Sequence, residues 1–375
     1  MFNFKQYEWK HFDIVLFIAV LLLAGLGAFC IYKSDGADMF RHQLYGILLG
    51  VAVIGFLTIL DFHFICRFSI IYYIVGIGML AAVKFTPLGV NHGTIAYRWL
   101  NVGFTDIQPS ELVKIIIIIV MASFYTRVQD KLDKWYIFLL SGVITGIPTL
   151  LILTQPDLSS SLVMLFIYVV MIFMAGLSLK IIIPLVVAGL PIAGVLFWYI
   201  QQPFQKLLTV TQQNRVLSFL NPEQYASSGM YQQNSSVNAI ASGELYGKFL
   251  MSEPDAYRNY SRLPVNESDF IFSVAAEELG FLGGCLLILL FGIVIFRCIH
   301  IARRTTDYTG RMIVYGVSGM FMFQSFANIG VATSLLPNTG LPLPFLSFGL
   351  SSLVANMIAV GLVMNVGLQK SNLRG

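Results

Sequence analysis

Ten runs of mostly apolar residues divide the chain, at 13–32, 44–60, 68–85, 112–126, 136–153, 159–176, 181–201, 270–296, 312–332 and 350–369. A helix that crosses the hydrocarbon core of a bilayer needs about 20 predominantly apolar residues. Runs of this kind, repeated along the chain, specify an all-α polytopic membrane protein of about ten transmembrane helices. The whole chain, 1–375, reads as one transmembrane domain, with a long loop at 202–269 between spans 7 and 8. Composition agrees, because only 11% of residues are charged, where a soluble domain carries about a quarter.

Ten spans place both termini on the same side of the membrane, and Lys and Arg choose the side. With the N-terminus inside, the inner segments hold thirteen of these residues and the short outer segments hold five. The remaining five lie in 202–269, and long loops count little in this rule. Both termini are therefore expected to be cytoplasmic. The acids lean outward, thirteen of nineteen, with Asp157 and Asp269 among them. A net charge of +4 scattered between apolar spans leaves no footprint for nucleic acid. Cys30, Cys66, Cys285 and Cys298 lie in or beside spans without ligand-like spacing, so they read as small buried apolar residues. The first span lacks a small-x-small cleavage site and is expected to stay as an anchor.

The polar residues that matter sit at the outer ends of the spans. Asp269 is placed where the long loop becomes the run beginning Phe270-Ile271-Phe272, so its carboxylate is reachable by a water-soluble group carried on a lipid. Arg98 stands among aromatics in Tyr97-Arg98-Trp99, as an interfacial anchor or as a phosphate contact suited to its fork. Glu111 and Lys114 are three apart and share a helix face, either as a structural ion pair or as the lining of a polar cavity. Asp157, in the tight corner Gln155-Pro156-Asp157-Leu158, either caps the next helix or faces an outer cavity where its carboxylate could hold a cation. Arg215 lies on an amphipathic stretch, 214–223, that reads as a surface helix. Ser242 and Lys248 flank a Gly-containing stretch whose backbone can approach a ligand closely. Glu277 and Glu278 fall inside an apolar run and require partners or water. Five His residues are too dispersed for a metal centre, and no Ser-His-Asp order, Walker loop or dinucleotide fingerprint has a supporting context.

Taken in order, Arg98-Trp99-Leu100, Gln108 to Lys114, Gln155-Pro156-Asp157-Leu158, Arg215 to Glu223, Asp269 to Gly280 and Leu336 to Phe345 resemble the SEDS family (shape, elongation, division and sporulation). The resemblance covers nearly the whole chain and leans towards a RodA-type over an FtsW-type member, on a short N-terminus and Asn328-Ile329-Gly330. It implies a peptidoglycan glycosyltransferase in the bacterial cytoplasmic membrane that polymerises lipid II together with a class B penicillin-binding protein. The family's essential acid maps to Asp269 within Ser268-Asp269-Phe270-Ile271-Phe272. Asp269 would be the general base of an inverting displacement. Arg98, Lys114, Arg215 and Lys248 are candidate partners of the leaving diphosphate, and Asp157 and Ser242 are further substrate contacts. No cofactor is demanded, although a divalent cation at Asp157 could assist. Several positions depart from the family pattern: Ser159, Ser235, Ala241-Ser242-Gly243-Glu244, Phe249, Phe348 and Leu350. Composition alone also suits a transporter that flips a lipid-linked precursor, or a scaffold that activates its partner. An FtsW-like polymerase of division or sporulation is the alternative within the family.

Overall fold

A computed structural model describes residues 7–91, 97–103, 106–176, 179–225, 230–249 and 257–369. The two chain ends, 1–6 and 370–375, whose side of the membrane is an expectation from charge, lie outside the described residues. The helices are α1 (Ile14–Asp35), α2 (Ala37–Ile59), α3 (Phe62–Arg67), α4 (Ser69–Phe85), α5 (Pro109–Arg127), α6 (Trp135–Thr154) and α7 (Leu158–Met174). They continue with α8 (Leu179–Ile200), α9 (Val210–Leu220), α10 (Tyr231–Ser242), α11 (Ile271–Arg304), α12 (Tyr308–Ala332) and α13 (Leu350–Leu368).

Every apolar run carries a long helix. Seven of these helices, α1, α2, α5, α6, α11, α12 and α13, are long and apolar enough to cross a membrane. The protein is thus a multi-pass membrane protein, and α4, α7 and α8 carry the expectation that the spans number ten. Their ends are set by ordinary helix chemistry. Asp13 caps α1 by accepting from the Leu16 N–H at 3.0 Å, and Asp307 caps α12 by accepting from Gly310 at 2.7 Å. Pro109 occupies the first turn of α5, where a missing N–H costs nothing.

Burial separates centre from rim. The most apolar stretches of α5, α12 and α13 are 78%, 72% and 72% buried, against 28% for α2 and 33% for α6. Helices in lipid associate through close backbone approach at small residues. A Cβ at Gly50 of α2 would fall 2.6 Å from the Met357 side chain of α13, and one at Gly361 of α13 would fall 2.9 Å from Leu57.

Two features of the fold were not expected. Ahead of α5, β1 (Gly89–Val90), β2 (Trp99–Asn101) and β3 (Asp106–Ile107) form a small antiparallel sheet, with Val90 opposite Trp99 and Leu100 opposite Ile107. The second is a break in α11. Gly280 has φ 71° and ψ −169°, which ends one helical segment and starts another. The freed backbone groups are taken up by the segment after α10. Lys248 and Phe249 donate their N–H groups to the Glu277 and Glu278 carbonyls, both at 3.0 Å. In return the Glu244 and Leu245 carbonyls accept from Phe281 at 2.8 Å and Leu282 at 3.3 Å. Irregular backbone within an apolar span is tolerated only when protein satisfies it, and here four hydrogen bonds do so. Gly280 and Gly247 (φ 79°) make this approach sterically feasible, since a Cβ on either would sit under 2.5 Å from backbone of the other strand.

Candidate active site

Asp269 belongs to a tight turn just ahead of α11. The Val265 carbonyl accepts from the N–H groups of Ser268 and Asp269, and Val265 itself is held at φ 60°. A positive φ costs a β-branched residue free energy, so the surrounding structure must enforce it. It does. The 333–349 segment is stitched to this turn: Ser347 Oγ donates to the Ser268 carbonyl at 2.5 Å, and Phe348 N–H donates to the Glu267 carbonyl at 2.8 Å. Asn328 of α12 donates to the Asp269 carbonyl at 2.8 Å. The carboxylate projects towards Gly340 (φ 71°), where a Cβ would lie 3.1 Å from Asp269 Oδ2 and 3.7 Å from Arg215 Nη1.

Arg215 reaches that point from α9, whose start is fixed by a capping box between Thr209 and Gln212. Its guanidinium donates to the Thr339 carbonyl at 3.3 Å, and Ser159 Oγ donates to the same carbonyl. Arg98 donates to the Pro156 carbonyl at 2.6 Å, which ties the sheet segment to the 154–158 corner. Its Nε is buried and has no partner among the described residues. Asp157 caps α7, accepting from Ser160 N–H at 3.0 Å and Ser160 Oγ at 2.7 Å.

These four side chains share one electrostatic environment. Burial raises the Asp269 carboxyl above its ordinary range, and Asp157 adds to that, while Arg215, the Ser268 hydroxyl and Arg98 pull it down. The net direction is upward. Burial likewise lowers Arg215, opposed by the Asp269 and Asp157 carboxylates. A carboxylate with an elevated proton affinity, on a residue that is only partly buried and lies beside a guanidinium, is suited to accept a proton.

The other expected site residues fall into two separate groups. Lys248 donates to Glu277 at 2.6 Å, to Ser242 Oγ at 3.0 Å and to the Tyr257 carbonyl at 2.9 Å. Glu277 also accepts from Ser242 Oγ at 2.8 Å and from the N–H groups of Asn259 and Tyr260 at 2.7 and 2.8 Å. Glu278 accepts from Arg258 at 2.6 Å and from the Tyr260 hydroxyl at 2.9 Å. Ser242 and Lys248 therefore help to fasten 243–249 and 257–260 onto the broken helix. Lys114 is 1% exposed and donates to Glu111 at 2.8 Å within α5, which packs on α7, α12 and α13. Among the described residues no group of three His, Cys, Asp or Glu side chains gathers as a metal ion would require.

Sequence reasoning used Asn328, Thr339 and Gly340 only as marks of the resemblance, and gave neither them nor Ser347 a part in organising the site. Asn328 had a signal, since an amide inside an apolar span needs partners. The roles of Thr339 and Gly340 come from their backbone, which side-chain chemistry does not announce.

The chain is similar to known proteins over nearly its whole length. The model of the FtsW/RodA/SpoVE family, described as cell cycle protein, matches residues 8–372. A probable peptidoglycan glycosyltransferase FtsW of Bacillus subtilis is 31% identical, covering 96% of this chain and 91% of that protein. The stage V sporulation protein E of the same organism is 32% identical over 94% of this chain and 96% of its own length. Among solved structures, a peptidoglycan synthase complex that coordinates polymerisation and crosslinking has a chain 26% identical, with TM-score 0.79 and coverage of 96% and 97%. The Thermus thermophilus rod shape determining protein RodA shares the fold, with TM-score 0.66 at 24% identity and 96% coverage of each chain. The present chain belongs to the FtsW/RodA/SpoVE family of cell cycle proteins.

Proposed function

We propose that this protein is a peptidoglycan glycosyltransferase that polymerises lipid II at the outer face of the bacterial cytoplasmic membrane, with both termini in the cytoplasm. The observation that carries this reading is Asp269, partly accessible at the head of α11 and facing Gly340 beside the Arg215 guanidinium. The names of its relatives support the reaction class. The acceptor sugar hydroxyl gives its proton to the Asp269 carboxylate as its oxygen forms a bond to the donor's anomeric carbon. The bond from that carbon to undecaprenyl diphosphate breaks, and the diphosphate leaves with the electron pair. An α-linked donor becomes a β-linked product in one in-line displacement. A general base of this kind supplies about 10²–10⁴-fold. Diphosphate is already a good leaving group, so one carboxylate suffices where a glycosidase uses two.

Charge developing on the diphosphate falls first to Arg98 and Arg215, which share the environment of Asp269. Lys114 and Lys248 are paired with Glu111 and Glu277, so neither carries a free charge to offer the diphosphate in this arrangement. The proposal extends to a class B penicillin-binding protein as partner, and to cell elongation as the role, on the strength of Asn328-Ile329-Gly330.

The test is lipid II polymerisation by purified protein, wild type against Asp269→Asn, with and without a co-purified class B penicillin-binding protein. Folding is checked by monodisperse elution. Long glycan from wild type and none from the folded variant is the expected result. A variant that polymerises like wild type would refute the role of Asp269. Inactivity of wild type with a cognate partner would favour a precursor transporter or a scaffold.

A further inference from the structure

Asn328 sits in the last third of α12 and is 2% exposed. Its side-chain nitrogen carries two hydrogens, and the structure uses both. One goes to the Asp269 carbonyl at 2.8 Å and the other to the Leu341 carbonyl at 2.7 Å. Those carbonyls belong to different segments. The first is in the turn that carries the carboxylate. The second is next to Gly340, the residue against which that carboxylate rests, and two residues beyond Thr339, where Arg215 lands. A single planar amide thus spans the two segments whose spacing sets how Asp269 meets Arg215. No other described hydrogen bond joins the Asp269 residue directly to α12.

We propose that Asn328 is a positioning residue for Asp269, fixing the carboxylate against Gly340 and Arg215 through its two carbonyl contacts. This rests on the proposed role of Asp269. The amide suits the task because it alone offers two donors from one short, rigid side chain. Aspartate has the same shape but, ionised, would set one oxygen in place of Nδ2, 2.7–2.8 Å from two carbonyl oxygens with no hydrogen between them. Alanine would leave both carbonyls without this partner and let the two segments drift apart.

The protein contains its own control. Gln233 of α10 makes the same kind of clamp, donating from Nε2 to the Val331 carbonyl at 3.2 Å and to the Leu336 carbonyl at 2.7 Å. It is 1% exposed and holds the same 333–349 segment, but neither of its carbonyls belongs to the Asp269 turn. A purely structural account of Asn328 therefore predicts that Asn328→Ala and Gln233→Ala behave alike.

The experiment compares Asn328→Ala, Asn328→Asp and Gln233→Ala in full-length protein with its penicillin-binding partner. Three readouts are taken: thermal midpoint, kcat and KM for lipid II, and the titration of Asp269 by infrared difference against Asp269→Asn. A misplacement of about 1 Å at a reacting group can cost 10²-fold. Both Asn328 variants should lose about tenfold or more in kcat with KM within about twofold. The Asp269 titration should move upward in Asn328→Ala, because the carboxylate loses the nearby guanidinium. Gln233→Ala should lower the midpoint without moving the titration. If Asn328→Ala leaves the Asp269 titration where wild type has it, or shifts it no more than Gln233→Ala does, the positioning role is overturned. Activity in Asp269→Asn would instead remove the base, and the infrared comparison would still decide whether Asn328 positions the carboxylate.

Discussion

Gly340→Ala isolates the contact on which the site is built. Two costs follow from the structure. The first is backbone strain, since Gly340 has φ 71°, and holding a residue with a Cβ in such a region costs about 1–3 kcal/mol. The second is local. The new Cβ would lie 3.1 Å from Asp269 Oδ2, so the carboxylate must recede by a few tenths of an ångström. If a 1 Å displacement costs about 10²-fold, this one costs about three- to tenfold in kcat. Gly36 separates the two effects, because it has φ 84° and nothing within 4 Å of an added Cβ. Gly280 supplies the opposite extreme, with φ 71° and a Cβ position 2.3 Å from the Gly247 nitrogen. Lipid II polymerisation and thermal midpoint should be measured for all three alanine variants. Gly36→Ala should lose stability alone. Gly340→Ala should lose a similar amount of stability and, in addition, kcat. Gly280→Ala should fail to reach a stable fold, because backbone cannot yield as a carboxylate can. If Gly340→Ala turns over at the rate of Gly36→Ala, the carboxylate is not seated where the mechanism requires it, and the reasoning fails.

Two further expectations concern charge. His63 lies at the start of α3, 3.0 Å from Asp61 Oδ1 and 3.2 Å from Asp307 Oδ2 through its two ring nitrogens, so only the protonated ring donates to both. The Asp307 hydrogen bond, followed by Asp61, raises His63 against the opposing effect of burial. His63 in turn helps to lower Asp61 and Asp307, again against burial. The histidine's contribution is complete below its unfolded value of about 6.5 and fades as pH rises through the raised folded value. The carboxylates contribute above their unfolded value of about 3.9 and lose that as pH falls through their lowered ones. The half-exposed clasp is therefore worth under about 1 kcal/mol, and fullest between about pH 4 and 6.5; a thermal-midpoint gap between wild type and His63→Gln that fails to shrink from pH 6 to pH 8.5 would contradict it. Lys248→Met should cost about 3 kcal/mol, at the lower end for a broken buried pair, because Glu277 keeps the Asn259 and Tyr260 N–H donors. Adding Glu277→Gln should restore part of the thermal midpoint, whereas lost polymerisation at an unchanged midpoint would make Lys248 a substrate contact.

What the sequence disclosed depended on how far apart the partners stand. The long helices lie where apolar runs predict them, because a span is a local property. The Glu111–Lys114 pair and the Asp157 cap are also local, three residues from carboxylate to partner in each case. The placement of Asp269 at the head of α11 was legible for the same reason. Arg215 was legible as a charged residue on a surface helix, but not its landing on the Thr339 carbonyl, 124 residues away. Lys248 shows the limit most clearly. As a loop lysine near glycines it looked available to a phosphate, yet Glu277, 29 residues on, holds it. The interruption at Gly280 was hidden because the run is apolar over helical length, its two acids read only as side chains in need of partners, and the compensating donors lie on another segment.

The exchange of hydrogen bonds around Gly280 also bears on the order in which the protein is made. Ribosomal synthesis delivers residues 244–249 before 277–282. The partners for the interrupted stretch have therefore already emerged when that stretch leaves the ribosome. Until the two meet, the Glu277 and Glu278 carbonyls and the Phe281 and Leu282 N–H groups have none of these bonds, and two acidic side chains lie in an apolar segment. Acidic residues inside an apolar span resist insertion. Docking of the earlier segment removes both obstacles at once, since Lys248 and Arg258 arrive with it. The break thus leaves the hydrogen bonds and ion pairs of α11 to be completed by a part of the chain that has already been translated.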